Sequence, residues 1–223
     1  MQKNLCRGFT LMELFVVIII ILVLASIAYP IYINVQERAR ATQDMNNLRQ
    51  IGLATQMYVN DNDGLVPAST TWPGTSTTPG LYSKYMPGRK SFQSPFDKRN
   101  SLETDTAPVS YGFNANVYTA SPGIARDITR VVSPSLTILM APRYIGDPRN
   151  ATSWTGTTTT PADLTAGGDP ANTRGTHGSG RRINALFCDL HVEDLSFGPS
   201  SVVGTFQDTT SASIGLKHWD PTK

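Results

Sequence analysis

Apolar side chains fill the chain from Leu14 to Ala28, broken only by Ser26, and no formal charge falls between Glu13 and Glu37. About 20 apolar residues suffice to cross a bilayer as a helix, so this stretch predicts a membrane-grade helix at the N-terminus. Beyond Pro30 the pattern changes. Ile31, Val35, Met45, Leu48, Ile51, Thr55, Tyr58 and Val59 recur at intervals near three and four, while Arg38, Arg40, Gln43, Asp44, Asn46, Asn47 and Arg49 occupy much of the remainder. That spacing predicts an amphipathic helix with one stripe to bury against the chain's own sheet. Phe9 to about Asn60 therefore reads as one long helix, interrupted or kinked at Pro30, where a backbone donor is lost. Asn60-Asp61-Asn62-Asp63-Gly64 supplies residues that tolerate left-handed backbone, and Pro67 opposes resumption, so the helix is expected to end there. The Asp pair lacks the remaining ligands of an EF-hand loop, so a turn is the expectation.

The second half of the chain has a different texture. Ala68 to Pro108 is rich in Ser, Thr, Pro and Gly with scattered aromatics, which predicts an irregular connection lying on a core. Three segments have strand character: Ser110–Tyr118, Leu136–Ala141 and Arg182–Phe197. The last contains Ile183-Asn184-Ala185-Leu186-Phe187-Cys188-Asp189-Leu190-His191-Val192-Glu193, expected to be two strands joined by a tight turn at Asp189-Leu190. Between the second and third lies a Thr/Gly/Pro-rich stretch, Asn150 to Gly180, expected to be a long exposed loop.

Glu13 is the chemical oddity of the apolar run, because a carboxylate at membrane depth needs a partner or a purpose. A cut between Gly8 and Phe9 would create an α-amine one helical turn away from it. The order of features is a short basic leader (Lys3, Arg7), Gly8, Phe9, then Glu13, followed by the run from Leu14 to Ala25. It resembles the N-terminus of type IV prepilins and type II secretion pseudopilins. The resemblance covers the first 55–60 residues or so. It implies cleavage after Gly8 by a prepilin peptidase, N-methylation of Phe9, and pairing of Glu13 with the amine of a neighbouring subunit in a filament. Pro30 also resembles a proline found in many type IV pilins. The competing reading is a signal peptide or uncleaved signal anchor, for which Ala25-Ser26-Ile27-Ala28 offers a small-x-small site. Glu13 would interrupt its apolar core, and the helical pattern runs straight past Ala28. Either way Lys3 and Arg7 favour a cytoplasmic N-terminus, with the remainder outside.

Charge and cysteine content narrow the classes. Without Lys3 and Arg7 of the leader, the 19 basic residues fall to 17, against 17 acidic ones. A neutral chain gives no indication of a nucleic-acid surface. Cys6 lies in the leader, so a processed chain keeps only Cys188 and makes no internal disulfide. Cys188 sits in an apolar run and is expected to be a buried small hydrophobe, leaving stability to packing.

Near the C-terminus His177, Asn184, Phe187, Asp189, His191 and Val192 resemble a pattern in large prepilin-like proteins, an upstream His followed by Asn-x-x-Phe-x-Asp-Gly-His-Val. Leu190 replaces the Gly that a two-residue hairpin turn favours for its positive φ. Imidazoles and a carboxylate suit zinc or a similar ion. The reading preferred here is structural, with Asp189 accepting hydrogen bonds that lock the turn, and no metal or other cofactor is assigned. Ser179 and Cys188 lack a nucleophile motif, and no phosphate-binding glycine loop is present, so no catalytic residue is assigned and an enzyme is not expected.

The expected molecule is α+β, pilin-like, with a long N-terminal helix, apolar in its lower half and amphipathic in its upper half, packed on a small antiparallel sheet. Its expected segments are a leader (1–8), a transmembrane and assembly helix (9–30), an amphipathic helix (31–60), an extracytoplasmic β-rich domain (61–197) and a polar tail (198–223). Partners implied by the resemblance are the prepilin peptidase, other pilin or pseudopilin subunits, an inner-membrane assembly platform, and lipid before assembly. The alternative is a signal-anchored extracytoplasmic binding domain that never polymerises.

Overall fold

A computed structural model describes residues 10–68, 72–75, 80–100, 107–118, 124–144, 150, 151, 154, 175–196, 221 and 222. The leader with Gly8, the residue Phe9, the run Thr157 to Thr160 and most of the expected tail lie outside the described residues. The chain divides into two compact units, Met1–Ala39 and Arg40–Lys223.

Helix α1 runs from Leu11 to Asp61, with Pro30 inside it. Of the two expectations at Pro30, an interruption or a kink, the first does not hold, since the helix is continuous through it. Proline removes only the bond from residue 30 to the carbonyl of Ser26, and the turns on either side retain theirs. In the first unit Leu11, Met12, and the apolar residues from Leu14 to Leu24 are exposed along the helix. By length and composition α1 can cross a membrane. The helix ends where Asp63 (φ 52) and Gly64 (φ 83) turn left-handed. The amide of Gly64 then donates to the carbonyl of Val59 at 3.0 Å, the six-residue bond of a Schellman motif.

In the second unit the sheet is antiparallel, in the order β1 (Tyr111–Phe113), β2 (Ile138–Pro142), β3 (Arg182–Phe187), β4 (Val192–Ser196). Helix on small antiparallel sheet is the expected α+β, pilin-like fold class. The strand expected over Ser110–Tyr118 stops at Phe113, and Ala115–Tyr118 is a turn of helix, α3. Asn114 explains the break: its Oδ1 accepts from the amide of Asn116 at 3.0 Å, the local bond by which Asn starts a helical turn.

Alternation along β3 builds two cores. Leu186 joins Leu48, Ile51, Trp72, Tyr111, Phe113 and Met140 in one cluster. Ile183, Ala185 and Phe187 join Phe96, Ile138, Ala141, Tyr144 and Trp154 in the other. Full burial of each large apolar side chain contributes about 1.5–3 kcal/mol, so β3 is held on both faces. Ahead of β1, the irregular connection carries only a short α2 (Leu81–Lys84) and a 3-10 turn, yet it delivers Trp72, Leu81 and Phe92 to the first cluster.

Three expectations need correction. Ile31 and Val35, placed on the buried stripe by spacing, are exposed. Asp44 and Asn47, placed on the polar side, are buried with Leu48, Ile51, Thr55 and Val59. The stretch Asn150–Gly180 is not exposed throughout: Trp154 pairs with Tyr144, and Thr176 and His177 are buried. Within the expected tail, the carbonyl of Pro221 accepts from the amide of Val132 at 2.9 Å.

Candidate functional site

The start of α1 contains a reciprocal pair of bonds that the sequence reading overlooked. Glu13 Oε2 accepts from the amide of Thr10 at 2.9 Å and from its hydroxyl at 2.8 Å. Thr10 Oγ1 in turn accepts from the amide of Glu13 at 3.2 Å. Thr10-Leu11-Met12-Glu13 is thus a capping box, in which residue and cap satisfy each other's orphan donors. Its signal, Thr followed three residues later by Glu ahead of an apolar run, was legible in the sequence. The carboxylate is exposed and stands in the first turn of α1.

The second constellation surrounds β3 and β4. The β3–β4 connection is not a two-residue turn. The amide of Leu190 donates to the carbonyl of Phe187 at 3.0 Å, and the amide of Phe187 to the carbonyl of His191 at 3.0 Å. The loop is therefore three residues, Cys188-Asp189-Leu190, with Leu190 at φ 72 in the left-handed position that follows a type I turn. Asp189 Oδ1 accepts from the amide of His191 at 3.2 Å and lies 2.5 Å from its Nδ1. The imidazole stacks on Phe187, with ring centroids 4.3 Å apart and planes 11° from parallel. Burial, reinforced by the charge of Asp189, pushes the Cys188 thiol up to about 12.

His177 does not join this pair. Its Nε2 lies 3.0 Å from Asp194 Oδ1 and its Nδ1 3.0 Å from Thr176 Oγ1, with Phe96 stacked on the ring. Asp194 also takes Arg182 Nε at 2.8 Å. The corner is glycine-built, because a Cβ on Gly175 would stand 2.4 Å from the carbonyl oxygen of Arg182. Among the described residues no three His, Cys, Asp or Glu side chains are placed to hold a metal ion.

Asn184 reaches the other way, to α1. Its amide nitrogen donates to Asp44 Oδ2 at 2.9 Å and to the carbonyl of Ala41 at 3.0 Å. Asp44 Oδ1 accepts from Ser94 Oγ at 2.6 Å and from the Tyr111 hydroxyl at 2.7 Å. Helix, connection, β1 and β3 thus meet at one carboxyl group. Burial raises the pKa of Asp44, opposed by its bonds to Ser94, Tyr111 and Asn184 and by the charge of His177. Burial likewise raises Tyr111, with the Asp44 charge adding to it. The sequence carried a signal for Asp44 too: it lies four, seven and eleven residues before Leu48, Ile51 and Thr55, on the buried stripe.

Comparison with known proteins places this geometry. The family model described as a prokaryotic N-terminal methylation motif matches residues 3–29. The type IV major fimbrial protein FimA of Dichelobacter nodosus is 35% identical over 82 residues, 37% of this chain and 53% of the relative. The type IV major pilin protein PilA of Myxococcus xanthus is 39% identical over 57 residues, 26% of each chain. The chain thus spans about half the length of the first of these curated relatives and about a quarter of the second. No solved structure matches. With the methylation motif, similarity to two type IV pilins, and a long apolar helix on a small antiparallel sheet, the chain is type IV prepilin-like.

Proposed function

We propose that the protein is a pilin-like or pseudopilin structural subunit. A prepilin peptidase cuts it after Gly8 and its new N-terminus, Phe9, is methylated. It then leaves the cytoplasmic membrane for a type IV pilus-like or type II secretion filament through its N-terminal helix. The leader stays cytoplasmic, and the unit after the helix stands outside. The observation that carries this reading is Glu13, the one charged side chain between Thr10 and Gln36 of an exposed apolar helix, fifth from the proposed cut. Inside the subunit its capping bonds to Thr10 satisfy it. Within a bundle of such helices, where water is excluded, an ammonium group from a neighbour would satisfy its charge as well and fix the axial register of one subunit on the next.

The test is the intact mass and N-terminal sequence of the protein extracted from the membranes of its native host. The expected product begins at N-methylated Phe9. A chain beginning at Met1, as a signal anchor would, or after Ala28, as a secreted domain would, overturns the proposal.

A further inference from the structure

Two aspartates are buried among the described residues, and they are treated differently. Asp97 is answered by a cation: Arg99 Nη2 lies 2.7 Å from its Oδ2, with the Ser110 hydroxyl donating at 2.7 Å. Asp44 is bonded only by neutral groups, the hydroxyls of Ser94 and Tyr111 and the amide of Asn184. A buried carboxylate with neutral partners pays for desolvation without a full opposing charge. Hydroxyls accept as readily as they donate, so a neutral acid at this position keeps its bonds when one of the two hydroxyls, Ser94 or Tyr111, turns its hydrogen away and accepts from the new O–H. The titratable groups facing it are Tyr111 from β1 and His177 from the corner ahead of β3, which acts through charge alone. Arg182 and Asp194 stand behind His177, paired with each other. Ser94 from the connection, Asn184 from β3 and Asn47 from α1 are neutral.

We propose that Asp44 is a proton-operated latch: on acidification the folded unit takes up a proton at this carboxyl, and the upper part of α1 is then held more firmly to β1 and β3.

The direction of the pKa agrees with the geometry, since burial raises it above the ordinary aspartate value. A raised folded-state value means that the folded state binds the proton more tightly than the unfolded chain does. The contribution to stability is therefore complete below the unfolded value, near about 3.9, and is lost as pH rises through the folded one.

The experiment is urea unfolding of the full chain in detergent micelles at several pH values from 8 down to 4. Tryptophan fluorescence follows it, since Trp72 and Trp154 are both buried. Wild type is compared with Asp44→Asn, which keeps the shape and removes the titration. As pH falls, the wild-type midpoint is expected to shift to higher urea relative to the variant. A midpoint difference that stays constant with pH overturns the proposal. If Asp44→Asn does not fold, Ser94→Ala replaces it. A hydroxyl donating to a carboxylate makes a stronger bond than one made with the neutral acid, so loss of Ser94 weakens the charged form more. The pH of the wild-type rise must then move upward, and an unmoved rise overturns the proposal equally.

Discussion

Leu190 occupies a left-handed backbone position with φ 72, where glycine is the easier residue. It is tolerated because its side chain turns back toward α1, where its Cδ2 would lie 3.7 Å from a Cβ on Gly52. Strain and contact therefore oppose each other at one residue. Leu190→Gly relieves about 1 kcal/mol of strain and gives up a contact of similar size, so stability is expected to stay within about 1 kcal/mol of wild type. Leu190→Val keeps an apolar side chain but adds a β-branch to left-handed backbone, and is expected to lose about 1–2 kcal/mol. Urea midpoints of the two variants measure the pair; a larger loss from glycine than from valine contradicts this account.

Helix α1 approaches β3 through Gly52, where a Cβ would come within 2.9 Å of Leu186 Cδ1. An alanine needs only a small movement of that methyl and gains helix propensity, whereas a branched side chain must displace the fully buried Leu186 or the half-buried Leu190. Gly52→Val is expected to lose about 1–3 kcal/mol by overpacking, measured by denaturant unfolding, with the helix content of the first unit unchanged. Periodicity made α1, β2, β3 and β4 legible, because each is long enough for its pattern to repeat. It failed where one side chain overrides the pattern: Asn114 ends β1 after three residues, and Asp44 is polar yet sits on the buried stripe. The partners of Asp44 lie at Ser94, Tyr111 and Asn184, separated along the chain by connections whose path no local pattern encodes. The left-handed Leu190 was equally hidden, since its tolerance depends on a helix more than a hundred residues earlier. Among the candidate residues, the neighbourhood of Asp189 and His191 follows from their two-residue spacing. The departure of His177 to Asp194 depends on the register of β3 with β4, which only the fold sets.

At the scale of the whole molecule, the proposed role divides labour between the two units: the first supplies an exposed apolar helix with one carboxylate, the second a packed α+β body. Glu13→Ala tests that division. It removes the charge without shortening the apolar run, so membrane insertion and cleavage are expected to persist while filament yield falls several-fold. Electron microscopy of sheared surface material, with membrane fractions blotted in parallel, measures both. Filaments at wild-type yield would show that Glu13 serves only its own helix cap. Thr10→Ala removes the hydroxyl bond to the carboxylate and the cap bond to the amide of Glu13, keeps the bond from the backbone amide of residue 10 and leaves the charge, separating the cap from assembly.

The burial of Cys188 has a practical consequence. Cys188 is only 6% exposed and its thiol ionises near 12, so at neutral pH almost no thiolate is present to react. Cys6 departs with residues 1–8 if the chain is processed as proposed. The folded subunit is then chemically silent toward maleimides, and a single cysteine introduced on the exposed face of α1, at Gln56 for example, becomes its sole reactive handle. A fluorophore or biotin placed there would follow individual subunits from membrane to filament without first removing a native residue.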